Sequence, residues 1–591
     1  MAEAAEVRPG RWMLGGLGAL AGLAAWVLFG VLPQPMAAMG LARLHLFLAA
    51  FATAFFGAGL AMAGVLRPGR ALGAAAGLGL PLAGLLTWAS LRFDTVAALL
   101  GDDVAVPAFA ALLVLATPFA ITGLSPGARW FDYAALFTRA WQIVVRMAAA
   151  WLFVGLVWGI LFLSNALFGL VGIGVIDWLL DVEAMPYLVT GLTLGVALAV
   201  VGERSDYVSP DLVLGLFRLL LPVVLAVVAV FLAALPARGI GQLFGGLSAA
   251  SILMAMVFGA VTLISSAADA EDGRLRLGAV TGWSARLLAL LLPFLAGLAG
   301  VAVALRLRQY GATPDRLLAA ALAVLAMGYG LGYAGAVLGA RGWTARVRRV
   351  NVAMALAAAA LAAALLTPVF DPQRISAANQ LARYDSGRVA ADRLDLWTLG
   401  HDWGRAGRAA LDRLEERAGA GGDPKLAEQL AALDTAETRA DFEVARRGSD
   451  IAADRAGLAR TLPVRPAGAA LPQGFLSSLR PWELQQIAEA CKARTPQGNP
   501  ACVALLADLS QDRPGDEILI LAQSPGEGPL LRAYFADGDS FSMRSPDYVG
   551  GDDLYRDAAA AIDALLAGRY DLRPMRLNAV EVEGRTLFFG R

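Results

Sequence analysis

The sequence predicts an all-α polytopic membrane domain of about eleven transmembrane helices, followed by a soluble C-terminal region that is first helical and then a small α+β domain. Three observations carry this. The chain of 591 residues is 58% hydrophobic and only 17% charged, with a mean hydropathy of +0.60, far above an ordinary soluble protein. Apolar runs of about 20 residues, the length that crosses a hydrocarbon core, recur through residues 1–370 and then stop. Charge divides at the same place. Residues 1–370 hold 22 arginines, no lysine and 16 acids, and residues 371–591 hold 27 basic and 33 acidic residues, so a net charge of zero splits into +6 and −6.

The apolar runs fall at 12–32, 44–66, 71–91, 104–124, 147–170, 184–202, 212–235, 246–266, 285–305, 317–339 and 350–368. The first is too long and too Trp-rich for a cleaved signal peptide and reads as a retained anchor. The least distinct are 71–91, Gly-rich with Pro81 inside, and 246–266, blurred at its start by "GIGQLFGG". With the N-terminus cytoplasmic, alternate loops on the inner side carry 15 arginines and those on the outer side 6. That bias favours N-in, and eleven spans then put the C-terminal region outside the cytoplasm. The expected location is a bacterial inner membrane, with a periplasmic tail.

Both cysteines, Cys491 and Cys502 in "CKARTPQGNPAC", lie in that tail. An oxidising compartment makes a disulfide the favoured reading, clipping a helix in "PWELQQIAEACKAR" to a second helix read in "ACVALLADLS". A zinc site is poorly supported, since the spacing is wrong and His401 is far away.

Polar groups at membrane depth are costly and therefore informative. The candidates are Asn165 in "LFLSNALFG", Arg218 in "LGLFRLLLP" and His45 near the start of the second span. Arg218 either snorkels to the headgroups or pairs with Glu203, Asp206 or Asp211 nearby. Asn165 reads as a helix-packing hydrogen bond or a substrate ligand. In "GIGVIDWLLDVEAMP" the acids Asp177, Asp181 and Glu183 form an outer cluster with no base, either a cation-attracting patch or a solvated loop. "RWFDYAALFTRAWQIVVR" puts Trp130, Phe137, Trp141 and Val144 on one face and Asp132, Arg139, Gln142 and Arg146 on another. It fits either an interfacial helix or an extension of the fifth span.

"GLGYAG" (Gly330 to Gly335) and "GLTLG" (Gly191 to Gly195) lie inside spans and read as close helix packing, not as nucleotide loops. No Walker A, HExxH or GxSxG motif is present, no basic-aromatic stripe speaks for nucleic acid, and no cofactor or metal is expected. The expected partners are the lipid bilayer and an envelope protein.

The domains expected are 1–370 membrane, 371–460 helical, 461–474 linker and 475–591 α+β. In the helical section "LWTLGHDWGRAGR" gathers Trp397, His401, Asp402, Trp403 and Arg405, either a recognition face or an aromatic anchor against the membrane domain. In the last section "EILILAQ", "LLRAYFAD" and "AVEVEGRTLFFG" read as strands with a turn at Glu583–Gly584, and a helix is expected over 552–567.

Three stretches, "AAAWLFVGLVWGILFLSNALFGLVGIGVIDWLLDVEAMPYLVTGLTLG", "DYVSPDLVLGLFRLLLPVV" and "DPQRISAANQLARYDSGRVAADRLDLWTLGHDWGRAGRAAL", together resemble a bacterial family of polytopic membrane proteins known only as domain of unknown function 4153. The resemblance implies an inner-membrane protein of Gram-negative type and supplies no catalytic residue. Three functions fit the sequence. The first is a non-enzymatic envelope protein whose periplasmic tail binds a partner. The second is a transporter or flippase with a polar route near Asn165 and Arg218, and the third a membrane enzyme acting on lipid-linked substrates at the outer acids. No catalytic residue is assigned, and the balance leans away from an enzyme.

Overall fold

A computed structural model describes residues 11–588 except 64, 128, 204–209, 239–246, 270–277, 340–341, 420–422, 447, 510–514, 524–528, 539, 546, 550–553, 575–577 and 583–584. Contacts divide the chain into two compact units, Met1–Asp423 and Pro424–Arg591. The first helices after residue 370 thus group with the membrane helices, and those from Pro424 with the α+β region.

Among the described residues of unit one, eleven helices are long and apolar enough to cross a membrane. They are α1 (Arg11–Ala25, continued by a π-helical stretch Trp26–Val31), α2 (Ala42–Met62), α3 (Pro68–Ala89), α4 (Ala105–Leu124), α5 (Tyr133–Leu170) and α6 (Met185–Glu203). Then follow α7 (Pro210–Arg238), α8 (Leu247–Ala268), α9 (Ala279–Tyr310), α10 (Pro314–Leu338) and α11 (Trp343–Leu365). Each corresponds to one apolar run of the sequence. The end of the bundle from which α1 starts is called the near end, and the opposite one the far end.

The fifth span settles the reading of "RWFDYAALFTRAWQIVVR". Asp132 accepts a hydrogen bond from the amide of Ala134 (3.1 Å) and starts one unbroken helix of 38 residues. At 1.5 Å per residue it is about 57 Å long, well beyond a core of about 30 Å, so the segment extends the span. Part of its aromatic face turns into the bundle: Tyr133 stacks on Phe137, Phe137 meets Trp141 edge-on, and Trp141 meets Phe217 of α7.

Two buried clusters divide the spans. One joins α7 through α11, with Leu288, Leu292, Ala296 and Tyr333 fully buried. The other joins α1 to α6, through Ala58, Ala71, Ile121, Ala150 and Leu198. A third, around Leu82, Phe93, Phe109 and Leu366, brings the far end of α11 against α2–α4. Small residues permit the closest crossings. A Cβ on Gly191 would fall 2.9 Å from the amide nitrogen of Gly22, so α1 and α6 touch backbone to backbone. Gly330, in "GLGYAG", likewise faces Pro293 of α9 at 3.0 Å from its hypothetical Cβ. Both glycine motifs are packing motifs.

Three α-helices follow the last span in unit one: α12 (Pro372–Asp385), α13 (Leu396–His401) and α14 (Gly404–Gly419). Asp371 caps α12 by accepting from the amide of Arg374 at 3.0 Å, with Pro372 at the first turn, where its missing N–H costs nothing.

Unit two opens with α15 (Pro424–Thr435), α16 (Arg439–Arg446) and α17 (Gly448–Thr461). A five-stranded sheet follows in the order β1 (Val464–Arg465), β2 (Cys502–Ala507), β3 (Glu517–Ala522), β4 (Leu530–Asp537) and β5 (Ser540–Arg544). β1 pairs parallel with β2, and the other pairs are antiparallel. Helix α18 (Pro481–Lys492) packs on one face and α19 (Leu554–Leu566) on the other. This is why "EILILAQ" is apolar without alternation: Ile518 and Ile520 face one layer, Leu519 and Leu521 the other. A second sheet, in the order β6-β9-β8-β7, is built from β6 (Asp547–Val549), β7 (Asp571–Pro574), β8 (Asn578–Val582) and β9 (Arg585–Phe588). The turn expected at Glu583–Gly584 lies outside the described residues.

Two expectations are corrected. "ACVALLADLS" is not a second helix. Cys502–Ala507 is β2, buried between β1 and β3, because sheet pairing outweighs the helix preference of Ala and Leu. The stretch 461–474 is not merely a linker, since it supplies β1. Cys491, at the end of α18, and Cys502, at the start of β2, lie at disulfide distance (S–S 2.00 Å, Cα–Cα 5.0 Å). The turn between them is held by the buried Asp563 of α19, which accepts from Thr495 Oγ1 and Asn499 Nδ2, each at 2.7 Å.

Candidate functional site

The two groups of spans do not close against each other everywhere. Between α2, α4 and α5 on one side and α8, α10 and α11 on the other lies a cavity of about 520 Å³, within the usual range for a small-molecule site. Its walls are apolar almost throughout, from Gly57 and Ala58 through Leu113, Val114 and Phe119 to Val144, Val352 and Ala355. Val114 is 67% exposed and Val144 53%, so the cavity opens on the flank of the bundle at the level of the spans.

Its polar groups gather toward the near end: Tyr133 of α5, Ser265 of α8, Tyr329 of α10 and Asn351 of α11. They belong to a network that joins the two helix groups. The hydroxyl of Tyr333 donates to Asn351 Oδ1. Asn351 Nδ2 donates to Tyr133 Oη at 3.0 Å and to Ser265 Oγ at 3.3 Å. Ser265 and Tyr333 are 2.8 Å apart. With the Tyr333 hydrogen already committed to Asn351, Ser265 is the donor of that pair.

One layer nearer the end, two arginines grip the last turn of α8. Arg218 is buried, and its Nε donates to the Ser266 carbonyl (2.9 Å) while Nη2 meets Asp269 Oδ2 at 3.0 Å. Arg348 donates through Nη2 to the Ala268 carbonyl at 2.9 Å and through Nε to the Asp269 carbonyl at 3.1 Å. These satisfy carbonyls that a helix end leaves unpaired. Arg218 therefore has a half-buried partner, Asp269, outside the acids that neighbour it in sequence. Asp206 lies outside the described residues, and Asp211 is exposed.

The far end carries a second cluster. Arg92, just past α3, donates through Nη1 to the Leu365 carbonyl at 2.9 Å and through Nη2 to the Thr367 carbonyl, and its Nε stands 3.7 Å from Asp371. Asp102 accepts from the amides of Ala105 (2.9 Å) and Val104 (3.3 Å) and from Gln373 Nε2 (2.6 Å). Burial pushes its carboxyl above the ordinary range, outweighing the amides, Gln373 and Arg92. Further along α12, Asn379 accepts from the Ala312 amide at 2.9 Å, Gln380 donates to the Ala312 carbonyl at 3.0 Å, and Arg383 donates to the carbonyls of Arg308 and Gln309. Helix α12 is thus tied at one end to the loop before α4 and at the other to the α9–α10 turn.

The residues singled out from sequence are placed as follows. Asn165 Nδ2 donates to Asp177 Oδ1 at 2.5 Å, joining two residues expected to act separately. Asp181 and Glu183 are exposed nearby, and no metal-ligand group occurs among the described residues. Neither Asn165 nor Arg218 lines the cavity. His45 Nε2 donates to the Leu28 carbonyl at 2.6 Å, within the π-helical stretch. Trp397 stacks on His401 at 3.7 Å, Asp402 is exposed and Trp403 is buried. Arg405 pairs with Asp94 at 3.3 Å, and Arg408 meets the same carboxylate. Gly404 has φ +54°, and a Cβ there would stand 2.6 Å from the Arg92 carbonyl oxygen, so this segment sits directly on the far end of α3.

A family model described as Domain of unknown function (DUF4153) matches residues 36–414. The chain belongs to the DUF4153 family. No curated protein and no solved structure matches it. The DUF4153 region takes in every residue of the cavity, the tyrosine–asparagine network and the far-end cluster, while α1 and unit two lie outside it.

The network residues Tyr133, Tyr333, Ser265 and Asn351 were not singled out from sequence. Tyrosines near span ends read as interface anchors, and Asn351 follows "ARVRRV", where an arginine-rich loop masks its depth. A usable signal was present: Asn351 is a lone amide at the start of an apolar run.

Proposed function

We propose that this multi-pass membrane protein binds a lipid from the bilayer in the cavity between its two helix groups. The supporting observation is the cavity itself, open toward the hydrocarbon at Val114 and Val144, and apolar along its walls apart from Trp141 and from Thr117 and Thr262, whose hydroxyls donate to carbonyls of their own helices, with the tyrosine–asparagine group at one end. That is the distribution an amphiphile carries. The reading keeps the lipid-handling half of the transporter or flippase alternative, but places the route away from Asn165 and Arg218.

The test is photolabelling. Protein in nanodiscs is given a trace of a diacyl lipid with a diazirine in its tail, and the labelled peptides are mapped. Strong labelling of α4, α5 and α11 at the cavity is expected, and Ala355→Trp, which fills it, removes that labelling. Label spread evenly over lipid-facing surfaces such as Leu216, Leu219 and Val223 of α7, unchanged by Ala355→Trp, refutes the reading.

The orientation that goes with this proposal is N-terminus cytoplasmic and unit two periplasmic, in a bacterial inner membrane. It is supported by the loop bias of 15 arginines to 6 and by a cysteine pair at disulfide distance, a bond that persists in oxidising compartments. An impermeant maleimide labelling intact cells only after an impermeant reductant is the expected result. Labelling that requires lysis reverses the orientation. An envelope partner for unit two would be met by polar groups, because among its described residues Leu572 is the one large apolar side chain that stands exposed.

A further inference from the structure

We infer that the lipid held in this cavity is uncharged at its polar end and offers a hydrogen-bond acceptor there, an ester carbonyl or a hydroxyl as in an acylglycerol, and that Tyr133 is the residue that selects it. This rests on the reading of the cavity as a lipid site.

The first ground is charge. Among the described residues, the lining holds no Asp, Glu, Lys, Arg or His. In the layer beyond the polar end, Arg218 and Arg348 direct their guanidinium groups to the carbonyls that end α8 and to Asp269. An anionic phosphate drawn into an apolar cavity needs a cation or several strong donors, or it carries a large desolvation cost. A primary amine needs a carboxylate, and a choline head, which the aromatic Phe137, Trp141 and Tyr329 of the lining suit, brings the same phosphate with it. The lining supplies no charge of either sign, so a neutral head is the one that enters without loss.

The second ground is the balance of donors and acceptors. In the network both hydrogens of Asn351 Nδ2 are used, on Tyr133 and Ser265. The Tyr333 hydrogen goes to Asn351 Oδ1, and the Ser265 hydrogen to Tyr333. Tyr133 receives a hydrogen bond and keeps its own O–H to give. Tyr133 lines the cavity beside Asn351, which donates to its hydroxyl, and Tyr329, edge-on to Tyr333 at 5.7 Å, adds a second phenol there. What the polar end offers an occupant is therefore phenolic O–H, and the matching group is a neutral oxygen acceptor. The cooperative chain behind Tyr133 polarises that donor and fixes its position on the α5 wall.

The test uses the full chain in phosphatidylcholine nanodiscs and a photoactivatable diacylglycerol, with the cavity peptides of α5 and α11 as readout. Unlabelled diacylglycerol is expected to displace the probe at far lower concentration than phosphatidylglycerol. Tyr133→Phe, which keeps the ring and removes the donor, is expected to weaken diacylglycerol labelling roughly five- to tenfold, the value of about one hydrogen bond. Labelling of lipid-facing α7 should not change. If phosphatidylglycerol displaces the probe as well as diacylglycerol does, the neutral-head inference fails while the cavity remains a lipid site. If Tyr133→Phe labels like the wild type, the selecting role of Tyr133 fails. If neither the diacylglycerol probe nor the diazirine diacyl lipid used to test the cavity itself labels the cavity peptides above the α7 background, the inference and the reading beneath it fail together.

Discussion

Replacing Arg92 with Met separates two accounts of how the far end is held. Its guanidinium is 13% exposed and reaches three acceptors: the carbonyls of Leu365 and Thr367 at the end of α11, and the Asp371 carboxylate at 3.7 Å. A hydrogen bond from a charged donor is worth about 1.5–3 kcal/mol, and removing the donor leaves buried acceptors unpaired. The expected loss is therefore about 3–5 kcal/mol, the range for breaking a buried charged contact. The ion pair is the lesser part, because 3.7 Å is beyond hydrogen-bond distance. Asp371→Asn keeps the side-chain oxygen that caps α12 and removes only the charge, so it should cost less than about 1 kcal/mol. SDS-induced unfolding of the reconstituted protein, followed by tryptophan fluorescence, measures both. Trypsin cleavage within α12–α14 reports whether the loss is local. If Arg92→Met lies within about 0.5 kcal/mol of wild type, or Asp371→Asn costs as much as Arg92→Met, the carbonyl-capping argument is wrong.

Other consequences are open to the same methods. Gly191→Val should prevent α1 from seating on α6 and sharply reduce folded yield, while Gly159→Val, with open space around its Cβ, should leave the yield close to wild type; equal yields would contradict the backbone-contact reading. Asp102 is held above the ordinary carboxylate range by burial. The folded protein thus binds that proton more tightly than the unfolded chain, so the stability it contributes is greatest below the unfolded value and is lost as pH rises through the folded one. Lowering pH from 7 toward 4 should therefore stabilise wild type relative to Asp102→Asn, and parallel pH profiles would refute this. Closing the loop between Cys491 and Cys502, 11 residues apart in sequence, is worth about 3 kcal/mol. Cys491→Ser/Cys502→Ser should lower the urea midpoint of the unit-two transition, and an unchanged midpoint under non-reducing conditions would count against a formed bond.

The spans were legible because one physical requirement, an apolar length that crosses the bilayer, fixes them locally. The strands of unit two were only partly so. "EILILAQ" announces itself through Ile and Leu, but "CVALLA" has a helix-former composition and becomes a strand only because β1 and β3 flank it, which is non-local information. Arg218 was legible as a costly charge at depth, though its partner was not. Asp269 lies 51 residues away in sequence, across a loop the composition leaves open. The cavity was not legible at all. It arises where α4 and α5 fail to close on α8 and α11, and its polar groups come from four helices, each carrying one or two inconspicuous tyrosines, a serine or an asparagine.

The clasp at Arg92 and Asp102 also has an order in time. Its acceptors lie far along the chain: Arg92 waits for Leu365, 273 residues later, and Asp102 for Gln373, 271 residues later. At a synthesis rate of about 5–20 residues per second that delay is roughly 15–55 s. Throughout it the early spans stand in the membrane with a guanidinium and a carboxylate whose later partners have not been made. Completion of α12 is then the event that closes the assembly, and a chain that stalls or is cut before residue 365 keeps both side chains without these partners, exposed to whatever surveys unfinished membrane proteins.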